Sequence, residues 1–382
     1  MRPVAVSPHV LELVTDLKDL DFFEDLKGHS YFFEGVRAWR RPKLEMASHL
    51  GREELARFYY FMLLQKRFEE AEERLFLQGL IPGSVFFGRG NEATAVGSAA
   101  ALEDGDVLFP MHRNMAARFI RGQTPERTMA QFFGRIDGYT RGRDGNVHHG
   151  DLQNRILAPI SHLGTSLPIL AGALYALRYL REPAAGMVYL GEGAVSNGDF
   201  HEGINFAAVH RLPVVVVIEN NQWAYKTPPS SHQASPCLAM KGPGYGIPGW
   251  LVDGTDVLEV FAVCREAVRR GRQGLGPALI ECVTMRMVGH SLYDRYAEYV
   301  PPEQLERWAA RDPIPTYEAF LIDQGICTPE ELREMDERVL REIERAIEFA
   351  QKSPHPDPAT AEDGVFAENP ETGARRHRKD GA

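Results

Sequence analysis

The chain has 382 residues, a net charge of -10 and a 44% hydrophobic fraction, enough for one large globular domain or two modest ones. The acidic balance, with no dense basic stripe in the body of the chain, argues against a nucleic-acid binder. No apolar run is long enough to span a membrane and no signal-peptide core opens the sequence. Cys237, Cys264, Cys282 and Cys327 lack CxxC spacing, so a reducing cytoplasm is the default.

Met1 to about His49 mixes acidic and aromatic stretches and reads as an irregular arm or a partly disordered leader. From Arg52 to Gln78, Leu55, Tyr59, Met62, Leu63, Phe68, Leu75 and Phe76 recur at helical spacing, and Gly79 and Pro82 end the helix. A Gly-bounded loop, Gly83 to Gly90, carries Phe86 and Phe87; core packing and the wall of an apolar site are both open for this pair. An Ala-rich helix from Glu92 to Leu102 follows, then a short strand, Val107 to Pro110, ending at Met111-His112-Arg113. The planar donor fork of Arg113 suits phosphate oxygens, with a surface salt bridge as the alternative.

Gly142 to Gly150 is Gly-rich and holds His148 and His149. Neighbours in extended chain point to opposite faces, so the two are not expected to share a metal. Ser161 to Pro168 leads into a helix rich in alanine over Ala171 to Leu180, with Thr165 and Ser166 as candidate caps.

Met187 to Tyr225 is the most informative stretch. Apolar runs at 187–190 and 214–218 flank a helical pattern with Phe200, Ile204, Phe206 and Ala207. Val- and Ile-rich runs without polar alternation predict strands buried on both faces, hence a parallel sheet with helical crossovers. Gly191-Glu192-Gly193 and Glu219-Asn220-Asn221 then both fall at carboxyl ends of strands, where such sheets bind ligands. The glycines allow a sharp turn and close approach, the following N–H groups suit phosphate, and Glu192 and Asn221 offer oxygens to a hard cation. A magnesium–diphosphate site is one reading; two ordinary turns is the other.

Gly244 to Gly249 fits G-x-G-x-x-G, but Pro248 and the strand-like Trp250-Leu251-Val252 remove the strand–turn–helix context, so a dinucleotide site is not expected. Asp256 is a candidate cap for a helix running to about Arg270; Pro277 to Met287 reads as a buried strand ending at Val288-Gly289-His290-Ser291. Helices over Thr316–Gln324 and Pro329–Gln351 precede a polar tail from Ser353 that ends in basic residues. The expected organisation is an arm over 1–50, one α/β domain with C-terminal helices over 51–352, and a tail over 353–382.

Gly-Glu-Gly followed by Asn-Asn within one strand–helix–strand unit resembles the thiamine-diphosphate motif. The flanking segments are similar, from about Arg52 to Pro313, to the alpha subunit of the decarboxylating component of 2-oxo acid dehydrogenase complexes. They include Gly90-Asn91-Glu92-Ala93, Met111-His112-Arg113, Val252-Asp253-Gly254 and Gly289-His290-Ser291. The resemblance implies a thiamine-diphosphate-binding fold, with a mostly parallel sheet flanked by helices. It implies oxidative decarboxylation of a 2-oxo acid, with acyl transfer to a lipoyl-bearing acyltransferase component. Activity would require a beta subunit, in an alpha2-beta2 heterotetramer.

Carried over by position, Glu192, the Asn221 side chain and the Trp223 carbonyl hold magnesium. His112, Arg113, Ser161, Leu163, Gly191, Gly193, Ala194, Glu219 and His290 contact the cofactor. His290 and His148 act in catalysis, and Phe86 and Phe87 shape the substrate pocket. His112 and Trp223 each stand where the family has tyrosine. Thr165 agrees with a potassium-holding loop of branched-chain relatives, but His162 and Ser166 depart, so potassium is not expected. Ser291 matches a regulatory phosphorylation position of animal relatives. The apolar Phe86 favours branched-chain acids. A pyruvate or acetoin enzyme, a single-chain thiamine enzyme and a non-catalytic regulatory subunit are the alternatives.

Overall fold

The computed structural model describes residues 36–38, 48–235 and 237–361. The expected arm and the basic end of the tail lie outside the described residues, apart from the strand backbone at Val36–Ala38. Six parallel strands form one sheet: β1 (Val36–Ala38), β2 (Val107–Phe109), β3 (Gly186–Gly191), β4 (Val214–Asn220), β5 (Gly249–Asp253) and β6 (Ala278–Val283). Their spatial order is β1-β5-β6-β4-β3-β2. Every residue of β4 and β6 is buried, as their unbroken apolar runs predict.

Alternation along the strands supplies two cores, one on each face. Met187 and Tyr189 of β3 and Val215 and Val217 of β4 pack with helices α1 (Arg52–Leu77) and α2 (Glu92–Ala100). Val188, Leu190, Val216 and Ile218 pack on the other face with α5 (Ser166–Tyr179) and α6 (Gly198–Val209), through Leu170, Leu174, Phe200 and Ile204. Between α2 and α5, two short helices, α3 (Met115–Ile120) and α4 (Pro125–Phe132), follow β2. On the first face α7 (Val257–Arg272) joins α1 and α2, and Asp256 caps it by accepting from the Leu258 and Glu259 N–H groups. Helices α8 (Pro302–Ala309), α9 (Pro313–Asp323) and α10 (Pro329–Lys352) complete the fold. A Thr328–Glu331 capping box starts α10, and the Arg67–Asp336 ion pair ties it to α1.

Several local expectations are corrected. β6 ends at Val283, not Met287, because the Thr284 and Arg286 N–H groups turn to the Asn220 and Asn221 carbonyls beyond the end of β4. α5 begins at Ser166, and its cap is not made by side chains: the Thr165 hydroxyl donates to Asp199 instead. After β3 a 3-10 turn, Glu192–Ser196, intervenes before α6. The start of the tail is fixed rather than loose, since Ser353 Oγ donates to Asp137 at 2.7 Å and the Ile136 N–H donates to the Pro354 carbonyl. Gly249 opens β5, so the G-x-G-x-x-G stretch has no helix following it.

Candidate functional site

The carboxyl ends of β2, β3 and β4, together with the segment after β6, enclose a cavity of about 600 Å³. Register brings the two polar clusters together: Gly191 pairs with Glu219, so Glu192 and Asn221 leave adjacent strands side by side. Glu192 is 1% exposed and its Oε1 has no hydrogen-bond partner among the described residues, while the Asn221 N–H donates to the Glu219 carbonyl. Burial raises its pKa to about 7. Glu219, buried beside it, accepts from Asn114 Nδ2 at 2.7 Å and is likewise raised to about 7 by burial.

Two buried arginines face these carboxyls. Arg113 makes no surface salt bridge; it donates to the Phe87 and His290 carbonyls, both at 2.7 Å, and burial lowers its pKa to about 10. Arg286 was not expected here. It donates to the Trp223 and Tyr225 carbonyls, both at 2.9 Å, and to the Tyr299 hydroxyl at 2.7 Å. It thereby clamps a loop in which Gln222 and Tyr225 sit at φ 71° and 56°, a left-handed conformation that non-glycine residues seldom adopt. Sequence reading placed Arg286 inside a strand. The available signal was a charged residue in an otherwise apolar run, which needs buried partners.

His112 lines the cavity with Nε2 buried and unpartnered among the described residues, and burial pushes its pKa well below the usual imidazole value. His290 is lowered to about 4, by burial first and then by Arg113. Both imidazoles are therefore neutral at pH 7. Phe86 stands between them, 4.7 Å from the His112 ring and 5.7 Å from that of His290.

Gly191, Gly193, Ala194, Leu163, Trp223 and Glu219 also line the cavity. A Cβ on Gly193 would lie 2.7 Å from Ala224 Cβ, so only glycine fits without displacement. Phe87 does not line the cavity: it is 3% exposed and packs in the core beneath Arg89. Ser161 and His148 are bonded to each other at 3.0 Å, and neither side chain is part of the wall. His149 is buried, stacked on Tyr139 and bonded to the Asn146 carbonyl at 3.0 Å. Tyr225, Met111 and Ser291, not expected as lining residues, complete the wall.

The donor set suits a hard cation. No cluster of three or more His, Cys, Asp or Glu occurs among the described residues, so a metal here would take mixed oxygens. The free Glu192 Oε1 is the carboxylate donor, and the Asn221 and Trp223 oxygens are of the type magnesium accepts. The Trp223 carbonyl keeps a second lone pair beyond its bond from Arg286. Arg113 and the neighbouring N–H groups suit the phosphates that share such an ion.

Comparison with known proteins identifies the family. Residues 60–359 match the family described as Dehydrogenase E1 component. The chain is 33% identical over 336 residues to pyruvate dehydrogenase E1 component subunit alpha-3, chloroplastic, of Oryza sativa subsp. japonica, covering 86% of this chain and 79% of that one. It is 35% identical over 317 residues to 2-oxoisovalerate dehydrogenase subunit alpha of Bacillus subtilis (strain 168), covering 82% and 96%. It is 43% identical over 241 residues to 3-methyl-2-oxobutanoate dehydrogenase subunit alpha of Mycobacterium tuberculosis (strain ATCC 25618 / H37Rv), covering 62% of each. With the match spanning the sheet, the cavity and the C-terminal helices, the chain belongs to the dehydrogenase E1 component family.

Proposed function

We propose that this chain is the alpha subunit of a cytoplasmic 2-oxo acid dehydrogenase complex, which oxidatively decarboxylates a 2-oxo acid and passes the acyl group to a lipoyl domain. The observation that carries the site reading is the buried, unpartnered Glu192 oxygen beside Asn221 at a parallel sheet's carboxyl edge. Glu192, the Asn221 side chain and the Trp223 carbonyl would hold magnesium. Arg113, with the N–H groups of Gly193 and Ala194, would face the diphosphate of thiamine diphosphate. When bound, that cofactor supplies the nucleophilic carbon and the electron sink for decarboxylation.

The chain's own residues fix the geometry around it. Arg286 holds the Trp223 carbonyl in place, and Arg113 locks the His290 carbonyl and the Phe86 loop into one wall. Neutral His290 is able to donate or accept a hydrogen bond without placing a second positive charge beside Arg113. His148 is bonded to Ser161 and lies 3.7 Å from Asp144, outside the cavity wall, so a part for it in catalysis has no support from the lining.

Phe86 supports a branched aliphatic substrate over pyruvate, because an aromatic wall rewards extra methyl groups. A beta subunit supplies what this chain lacks. Support comes from the relatives' names as alpha subunits, and from an exposed apolar face on α5 and α6. There Ile169, Tyr175, Tyr179, Phe206 and Val209 are each at least 42% exposed. This face adjoins Leu163, 48% exposed at the cavity. Residues 51–352 act as one diphosphate-binding domain.

The test is a 2-oxo acid panel on the chain co-purified with its partner subunit, following acceptor reduction with and without magnesium and thiamine diphosphate. Cofactor-dependent turnover of branched acids ahead of pyruvate is expected. Preference for pyruvate overturns the Phe86 argument; no turnover with cofactor bound overturns the catalytic reading in favour of a regulatory subunit.

A further inference from the structure

The loop that brings Phe86 to the cavity is gripped from outside the cavity. Gly88, two residues beyond Phe86, is held on both sides of its backbone by α1. Its N–H donates to Glu69 Oε1 at 2.7 Å, and its carbonyl accepts from Gln65 Nε2 at 3.3 Å. Gln65 and Glu69 are four residues apart, hence one turn apart on one face of α1. Gln65 Oε1 also accepts the Ala116 N–H at 2.9 Å, at the start of α3 and three residues beyond Arg113. Arg113 closes the circuit by donating to the Phe87 carbonyl at 2.7 Å. The fit has no slack: a Cβ on Gly88 would meet Gln65 Nε2 at 2.6 Å and the Arg113 carbonyl closer still.

This arrangement is expensive for a helix to keep. Gln65 and Glu69 are 0% and 2% exposed, at positions where α1 otherwise buries Leu64 and Phe68. Buried polar groups cost stability unless bonded, and Glu69 Oε2 has no partner among the described residues. Burial also holds the Glu69 carboxyl well above the usual carboxylate range. Neither residue lines the cavity, so neither is retained for contact with a ligand. What both touch is the backbone that carries Phe86 and the helix that follows Arg113.

We propose that Gln65 and Glu69 are positioning residues that fix Phe86 and Arg113 relative to each other, and so set which 2-oxo acid side chain the cavity admits. Only the substrate class rests on the proposed function; the grip on the loop stands on geometry alone.

The experiment uses the chain co-purified with its partner subunit, as wild type and as the Glu69→Leu, Glu69→Gln and Gln65→Leu variants. Hydrogen exchange read by mass spectrometry over residues 83–91 reports the grip without any need for activity. The ratio of kcat/KM for branched over unbranched 2-oxo acids reports the consequence. Glu69→Leu is expected to speed exchange in 83–91 by about 10-fold, the loss of one buried hydrogen bond, while α7 exchanges as before. The kcat/KM ratio is expected to move by about 10-fold, the scale of one methylene in a pocket. Glu69→Gln keeps an oxygen for the Gly88 N–H and is expected to restore both. If Glu69→Leu does not fold, Gln65→Leu reads the same peptide.

Unchanged exchange in 83–91, or exchange rising equally across the chain, overturns the positioning role. Faster exchange with an unchanged ratio overturns the link to selectivity. If wild type turns over no 2-oxo acid, the exchange result still decides the grip, and the proposed function is what fails.

Discussion

Gly193 offers the sharpest test of the site's packing. Its ideal Cβ would lie 2.7 Å from Ala224 Cβ, well inside the separation at which two carbons attract. The Gly193 backbone sits in the 3-10 turn that follows β3, and its φ is not in the left-handed region, so alanine is compatible with the backbone itself. The penalty of Gly193→Ala is therefore overpacking against one methyl group, which is expected to cost about 1–3 kcal/mol. The displaced segment carries Trp223 and Tyr225, whose carbonyls are clamped by Arg286, so the strain spreads to the Asn221–Tyr225 side of the cavity. Ala224→Gly removes the opposing methyl. Urea unfolding of wild type, both single variants and the double variant gives a cycle whose coupling should recover most of that loss. Calorimetric titration with magnesium and thiamine diphosphate should show affinity falling in Gly193→Ala and recovering in the double variant. If the double variant is no more stable than Gly193→Ala alone, the close approach is not what selects glycine here, and the reasoning fails.

Other expectations follow from single groups. Glu192→Gln replaces a buried, unpartnered carboxylate oxygen at the cavity; magnesium-dependent binding of thiamine diphosphate, followed by calorimetry, should weaken by about 100-fold or more, at least the loss seen on removing a metal site's supporting residue. Phe86→Ala should cut the preference for branched over unbranched acids by about 10-fold in kcat/KM, whereas Phe87→Ala should lower stability by about 3–5 kcal/mol, since Phe87 packs in the core. His149 is held well below the ordinary imidazole pKa by burial, so below about pH 6.5 the unfolded chain takes up a proton that the folded chain refuses. Stability should then fall with decreasing pH from that point and be independent of this group above it. Urea midpoints measured from pH 7 to pH 5 should show His149→Phe reducing the slope by about 1.4 kcal/mol per pH unit, leaving the share due to His112 and His290 in place. An unaltered slope would mean that His149 titrates normally in the folded chain.

The sheet was legible because β3 and β4 are buried on both faces, and burial of that kind leaves unbroken Val and Ile runs in the sequence. The location of Glu192, Glu219 and Asn221 then followed from where those runs stop. Arg113 was singled out by the resemblance, with its donor fork as the chemical reason, and the cavity wall includes it. Helix α8 was missed because it is short: its apolar stripe is only Leu305, Trp308 and Ala309, about one turn, too little to establish a period. Phe86 and Phe87 are equally apolar, and only the fold of their loop separates a cavity wall from a core residue.

Arg286 marks the deeper limit. Its residue type sits in a run that reads as strand, but β6 ends at Val283 and the Arg286 N–H donates to the Asn221 carbonyl, one residue past the end of β4. The side chain reaches the loop after β4, where it supports two carbonyls beside the left-handed Gln222 and Tyr225. Hydrophobic periodicity carries no record of such a support, because it arises from residues more than 60 positions apart meeting through backbone carbonyls. Glu192, Glu219 and Asn221 at the cavity were readable from residue type and strand ends. Those that hold them, Arg286 at one wall and Gln65 with Glu69 at the other, appear in the sequence only as polar residues where an apolar one would pack more cheaply.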